Sequence, residues 1–316
     1  MAALLSTASA VGRTALRAAA LTVIVASVVF VFADLLPGDA TTALVERGAP
    51  ASAVERARDR LGLDRPLAQR LGSQLGDLTR GDLGRTARGR PVGAVLDAPL
   101  RRTLVMGGLA FAIVALGGVA LGSLLAWRAG GRIDQFSGAA LATLLCLPEF
   151  VVLTGLTVVL AAWLGLVPAV VVPGPDGAVA APALIVPVLA LAVPNLAWTA
   201  RVVRGAVSDV LRMPHVESAI LDGLSPGRIL SRHVLPLALP AIAASLATSC
   251  ASLFGGAVVV EMFVNYPGLG SVLTQAVEAR DVGLVTGVVV LVSLIMIAVF
   301  ALADFTRRVL PGARAA

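Results

Sequence analysis

The chain has 316 residues, 58% hydrophobic and 14% charged, with a formal net charge of +6 and a mean hydropathy of +0.92. Soluble globular proteins carry about 25% charged residues, so this balance describes a membrane-embedded protein. The basic residues recur between apolar stretches and form no single patch, which argues against a nucleic-acid surface.

All 25 basic residues are arginine. Without lysine there is no P-loop, whose Lys holds nucleotide phosphates, and no Schiff-base chemistry on a lysine. Cys146 and Cys250 lie inside apolar runs, so no disulfide framework is indicated. The two histidines, His215 and His233, fall in one short segment and leave no cluster for a catalytic metal. Nothing here resembles an enzyme that works alone.

A membrane-crossing helix needs roughly 20 mostly apolar residues. Six stretches qualify: about Ala15–Ala33, Thr103–Trp127, Phe136–Leu164, Ala181–Ala200, Val234–Val260 and Val282–Ala303. The first follows Arg13 and Arg17, as a signal peptide would. The "FADLLPGDA" after it is a poor cleavage site, so it reads as an uncleaved span.

The loop that follows, about Asp34–Arg102, has its own helical patterns. Leu67, Leu71, Leu75 and Leu78 keep helical spacing well, and Ala53, Arg56, Arg60 and Leu61 keep it partly. The ten arginines between Arg47 and Arg90 are partly offset by five acids. A solvated cap and a docking surface for an external partner both fit.

In the second span Gly117, Gly118 and Gly122 suit close helix packing. The third span contains Glu149, the carboxylate set deepest in an apolar run. A charge at the centre of a span costs roughly 2.5–3.5 kcal/mol on insertion scales. Glu149 therefore either faces the bundle interior or an aqueous path, or lies shallower and snorkels. Pro148 before it is a candidate break and hinge.

Between spans four and five lies a polar segment, "HVESAILDGLSPGRILSRHVLP". Pro214 suits the first turn of a helix. Gly223 suits the left-handed residue after its end, and Ser225 with Pro226 suits the start of a second helix. Val216, Ala219 and Ile220 share one face at i, i+3, i+4. Such a short helix is marginal unless something packs on it. A stub on the bilayer surface and a helix docked into a cytoplasmic partner are both open. Beyond span five, Tyr266, Pro267, Gly268 and Gly270 in "NYPGLG" read as a turn, and Glu261 ends the span.

The arginines orient the chain. Arg13 and Arg17, the links 128–132 and 201–232, and the tail carry 12 of them, against Arg280 alone in the other two short links. Both termini and the polar segment are thus expected in the cytoplasm. The long first loop translocates largely regardless of its charge.

The polar segment resembles the cytoplasmic coupling motif of ATP-binding-cassette importer permeases. Glu217, Ser218 and Ala219 stand for its Glu-Ala-Ala start; Gly223, then Leu235 and Pro236, follow in order. "RHVLP" is similar to the dipeptide/oligopeptide/nickel branch. So are "LPGDA" at Leu36–Ala40, "RLGLDRPLAQRLGSQLGDLTRGDLGRT" from Arg60, "ARVVRGAVSDVL" from Ala200, "GGAVVVEMFVNYPGLGSVLTQAVEARD" from Gly255, and "ADFTRRVLPGAR" from Ala303. Departures are Ser218 for the middle Ala, His233 for a common Ile, Gly312 in the tail, and Ile220 and Asp222 for two bases before the turn.

The resemblance implies an all-α, six-span permease of the type I importer kind, matching the first of two permeases. Its parts would be residues 1–35 with the first span, an extracytoplasmic loop 36–102, a core 103–303 holding the coupling segment 205–235, and a tail 304–316. It implies a bacterial cytoplasmic membrane protein with a second permease, two ATPases, an extracytoplasmic binding protein and lipid as partners. The chain itself would bind no cofactor, metal or nucleic acid and catalyse nothing; ATP and Mg would sit in the ATPases. Glu217, Ser218, Ala219, Ile220, Gly223, Leu224, Leu235 and Pro236 would couple to the ATPases. Pro148, Glu149, Tyr266, Pro267 and Gly268 are the candidates for the path or gate. Peptides are the first expected cargo, nickel or a metal chelate the second. A self-sufficient transporter or channel would need several buried ionisable residues, and the spans offer Glu149. A non-transporting scaffold is the third reading, and co-purification with ATPases separates it.

Overall fold

A computed structural model of the chain describes residues 19–32, 41, 50–174 and 178–309. The LPGDA stretch, Arg47, Asp176 and the tail beyond Val309 lie outside these, as do the first residues of the first expected span. Among the described residues the regular elements are helices, and one isolated bridge pairs Arg85 with Pro91.

In chain order they are α1 (Ala19–Phe32), α2 (Ala51–Leu61), α3 (Leu67–Thr79), α4 (Val92–Trp127), α5 (Arg132–Cys146) and α6 (Glu149–Trp163). Then come α7 (Ala181–Leu211), α8 (Pro214–Leu221), α9 (Pro226–Phe263), α10 (Leu269–Glu278) and α11 (Val282–Val309).

α4, α7, α9 and α11 are each long and apolar enough to cross a membrane. The third expected span, Phe136–Leu164, is not one straight helix. It is broken into α5 and α6, which meet at 102°. The break falls at Leu147 and Pro148, both in extended backbone. Pro148 directly precedes α6, where a missing N–H costs nothing, yet it cannot continue α5. The expected first span is described over the 14 residues of α1.

Two compact units divide the described residues. One lies within Leu104–Tyr266 and Ala298–Ala316, the other within Met1–Thr103 and Pro267–Ile297. In the first, α7 is the central helix, packed against α4, α5, α6 and α9. Its buried face includes Val186, Ala190, Leu191, Ala197, Ala200 and Val203. Close approach needs small residues, and α4 supplies them. A Cβ added at Gly118 would lie 2.9 Å from Thr199 Cβ, and one at Gly122 would lie 2.5 Å from the Ala200 carbonyl oxygen. Without side chains at these places the two backbones meet, which is how apolar helices associate in lipid.

In the second unit Val92 and Leu96 of α4, Leu269 of α10 and Val288 of α11 form a small core. Polar contacts fix its loops. Asp281 accepts the Leu284 N–H at 3.1 Å, as an N-cap of α11, and the Ala87 N–H at 2.7 Å. Thr103 Oγ1 accepts the Leu269 N–H at 2.8 Å, and Arg102 donates to the Pro267 carbonyl at 3.3 Å. Burial pushes the Asp281 carboxyl above the ordinary aspartate value, against the pull of its two N–H donors. The Arg70 guanidinium lies 5.5 Å from the Phe30 ring and joins α3 to α1.

Candidate coupling segment and translocation path

Local chemistry shapes the polar segment. α8 starts on Pro214 after extended Met213. It ends in a Schellman motif: Leu224 N–H bonds the Ala219 carbonyl at 3.2 Å, and Gly223 N–H bonds that of Ile220 at 3.0 Å. Gly223 takes φ +74°, the left-handed region such a motif requires. Pro226 then opens α9. Ser225 precedes it in extended backbone, but its hydroxyl makes no cap. The cap is the Ser225 carbonyl, which accepts from Arg228 at 2.9 Å and Ile229 at 3.0 Å.

α8 is held from one side. Val216 and Ala219 are buried with Val207 and Val210 of α7 and Ile229, Val234 and Ala238 of α9. Leu224 and Leu235 pack on the edge of that cluster. Ile220 was expected on the same face but is 50% exposed. The cluster formed with α7 and α9 thus covers i and i+3 and leaves i+4 projecting past it. Beside Ile220, Leu221 is 82% and Met213 41% exposed. Glu217 and Ser218 are exposed as well. The eight-residue helix thus buries Val216 and Ala219 and shows Ile220 and Leu221, with Met213 exposed just before it.

Pro236 would clash with the carbonyl four residues back. The chain widens to a π turn over Leu230–Val234 just before it, and α9 runs on to Phe263. Upstream, Arg204 of α7 makes a two-pronged ion pair with Asp134 of α5, at 2.8 and 2.7 Å. Asp134 also accepts the Gly130 N–H at 3.1 Å. No local sequence pattern announces this pair, because its partners are 70 residues apart.

Glu149, the first residue of α6, is half-buried and lies against α9. Its carboxylate fills the space a Cβ at Gly256 would take. Tyr266 is 2% exposed, in the core with Val171, Val260 and Val264. Pro267 and Gly268 belong to the other unit. The left-handed residue of the NYPGLG turn is Asn265, at φ +56°. Gly268 is extended and caps α10. Asn is among the few side chains that enter that region readily. Glu261, in the last turn of α9, is fully buried.

Residues 118–312 match the family of binding-protein-dependent transport system inner membrane components. The chain belongs to that family. Among curated relatives, a "Probable peptide ABC transporter permease protein" of Sinorhizobium fredii is 30% identical over 279 residues, 87% of this chain and 89% of that one. The glutathione transport system permease protein GsiC of Pectobacterium atrosepticum is 31% identical over 283 residues, 89% of this chain and 90% of that one. Among solved structures, the inward-facing MetNI methionine ABC transporter matches with a TM-score of 0.55 at 20% identity, covering 67% of this chain and 95% of the matched one. That likeness establishes the type I importer permease fold. The family's inner-membrane permeases work with ATPase and substrate-binding subunits. The chain is accordingly a multi-pass permease of a binding-protein-dependent ABC importer.

Proposed function

We propose that this permease carries peptides, pairs with a second, related permease, and takes its power stroke through α8. Peptide and glutathione permeases among its relatives support the cargo. The chain supplies part of a path between the two permeases and does no chemistry itself. ATP and Mg are held by two ATPases on the cytoplasmic face, and an extracytoplasmic binding protein delivers the substrate. Both termini and α8 face the cytoplasm, as the arginine distribution requires.

The observation that carries the reading is the outward face of α8. Met213, Ile220 and Leu221 expose apolar surface on a helix anchored by Val216 and Ala219. Exposed apolar surface at an otherwise polar turn marks a docking site. Because α8 is pinned to α7 and α9 at once, a push on it moves both as a rigid body. Ile220 and Asp222 occupy places where the resemblance leads one to expect bases, so the docking here is apolar first.

The test is a pair of variants in the reconstituted importer. Leu221→Asp removes the docking surface and is expected to release the ATPases on co-purification. Gly223→Val forces a β-branched residue into left-handed backbone at a cost on the order of 1 kcal/mol or more. It is expected to cut uptake several-fold while the permeases still assemble. Full uptake with normal ATPase retention in both variants would leave α8 as a surface turn.

A further inference from the structure

The mechanism above leaves Glu149 without a task. Its carboxylate makes no hydrogen bond or ion pair among the described residues, yet a place is made for it. On α9, Gly256 is buried, and the carboxylate occupies the position of the missing Cβ. Gly256 is seven residues before the end of α9 at Phe263, about 10 Å at 1.5 Å per residue. The acid therefore lies inside the apolar span and does not snorkel at its tip. It stands where α5 ends and α6 begins at 102°, and discontinuous helices in transporters are where ligands meet the backbone.

The surface beside the notch is mixed: Phe150, Val151 and Val259 are exposed there, and a strip of small and hydroxylated residues runs among them. Thr248, Ser252 and Gly255 are exposed on α9 at spacings of four and three, and Thr154 is exposed on α6. The two threonines bond their own helix at Ala244 and Phe150, which leaves lone pairs outward. Small and hydroxylated residues in line with an acid suit a wet or protein-lined surface. A carboxylate set there with no protein cation beside it is complementary to a cation that arrives.

We propose that Glu149, seated in the Gly256 notch, is a subsite of the path that receives an alkylammonium group of the substrate. On the peptide reading, on which this rests, that group is the amino terminus of a peptide or a lysine side chain. The carboxylate accepts its N–H donors while Thr248 and Ser252 line the approach. Gly256 is a positioning residue, since it keeps the acid against α9.

The test uses the full importer in vesicles, with Glu149→Gln and Gly256→Ala beside the unaltered protein. Gln keeps the shape and loses the charge. Ala keeps the charge and fills the notch. Three tripeptides separate the sources of ammonium: Ala-Ala-Ala, N-acetyl-Ala-Lys-Ala and N-acetyl-Ala-Ala-Ala. Uptake is expressed as the ratio of variant to unaltered importer for each, so the binding protein's own preference cancels. A lost charge-assisted bond is expected to lower the ratio about tenfold for ammonium-bearing cargo. The capped neutral peptide is expected to change by about twofold or less. Whichever ammonium peptide falls identifies the source. Equal losses for all three, or none, overturn the subsite.

A second measurement does not depend on transport. Carbodiimide modification of Glu149, read by mass spectrometry as loss of the unmodified carboxyl so that N-acylurea and N-butyl amide products both count, is expected to be slowed by n-butylammonium and not by n-butanol. Equal labelling in both overturns the proposal. If butylammonium protects but no peptide is carried by the unaltered importer, the peptide reading fails and the cation subsite stands.

Discussion

Asp134 accepts from both prongs of Arg204 and from the Gly130 backbone, and its side chain is 7% exposed. A buried carboxylate keeps its place only while those donors remain. The pair ties the first turn of α5 to α7, seven residues before α7 ends and ten before α8 begins. Arg204→Ala is expected to lower the thermal midpoint of the purified permease and the uptake obtained per ATP hydrolysed. Arg204→Lys is expected to recover part of each, since an ammonium cannot reproduce the two-pronged geometry. The charge-exchanged double variant, Asp134→Arg with Arg204→Asp, should do better than either single change. If the ratio of uptake to hydrolysis is unmoved in all of them, the pair serves stability alone.

Element by element, what the sequence revealed and what it hid follow one division. The turn after α8 was legible because Pro214, Gly223 and Pro226 act on their own backbone. The break after α5 was legible at Pro148 but its 102° angle was not, because apolar residues continue on both sides of it, and hydropathy does not record direction. Pro148 is compatible with a helix start, so it announced a boundary and no angle. The Gly256 notch and the Asp134–Arg204 pair each join residues far apart in sequence, which no local pattern encodes. Ile220 shares the stripe of Val216 and Ala219 yet is 50% exposed, because a stripe on eight residues does not say how wide its support is. The α4–α7 contact lies between these cases: Gly117, Gly118 and Gly122 announced close packing but not the partner. Gly122→Val would drive its side chain into the Ala200 carbonyl and Val203, whose Cβ would lie 2.8 Å from the first added carbon. Overpacking of this kind costs typically 1–3 kcal/mol. A lower midpoint in detergent is the expected result, and Gly138→Val, where a Cβ meets nothing within 4 Å, should change it little.

For the molecule as a whole, orientation ties these parts together. Val172, in the link before α7, is 80% exposed, and Ser225 is exposed at the turn after α8. In a background with Cys146 and Cys250 replaced by Ala, Val172→Cys is expected to react with an impermeant thiol reagent applied outside intact cells. Ser225→Cys is expected to react after the membrane is opened. Labelling of both from outside would reverse the chain and remove α8 from the ATPases.

The bent pair α5 and α6, read as one crossing, also bears on how the protein is made. Each of its halves is fifteen residues long, about 22 Å of helix, against a hydrocarbon layer of about 30 Å. As it leaves the ribosome, neither half is long enough to settle across the bilayer alone, and the bend denies them the length of one straight rod. α4 and α7, each long enough unaided, flank it in the chain. Taken as one crossing, the segment between them is expected to settle only when α7 arrives to cover it, so its integration is expected to wait on translation of the helix that follows.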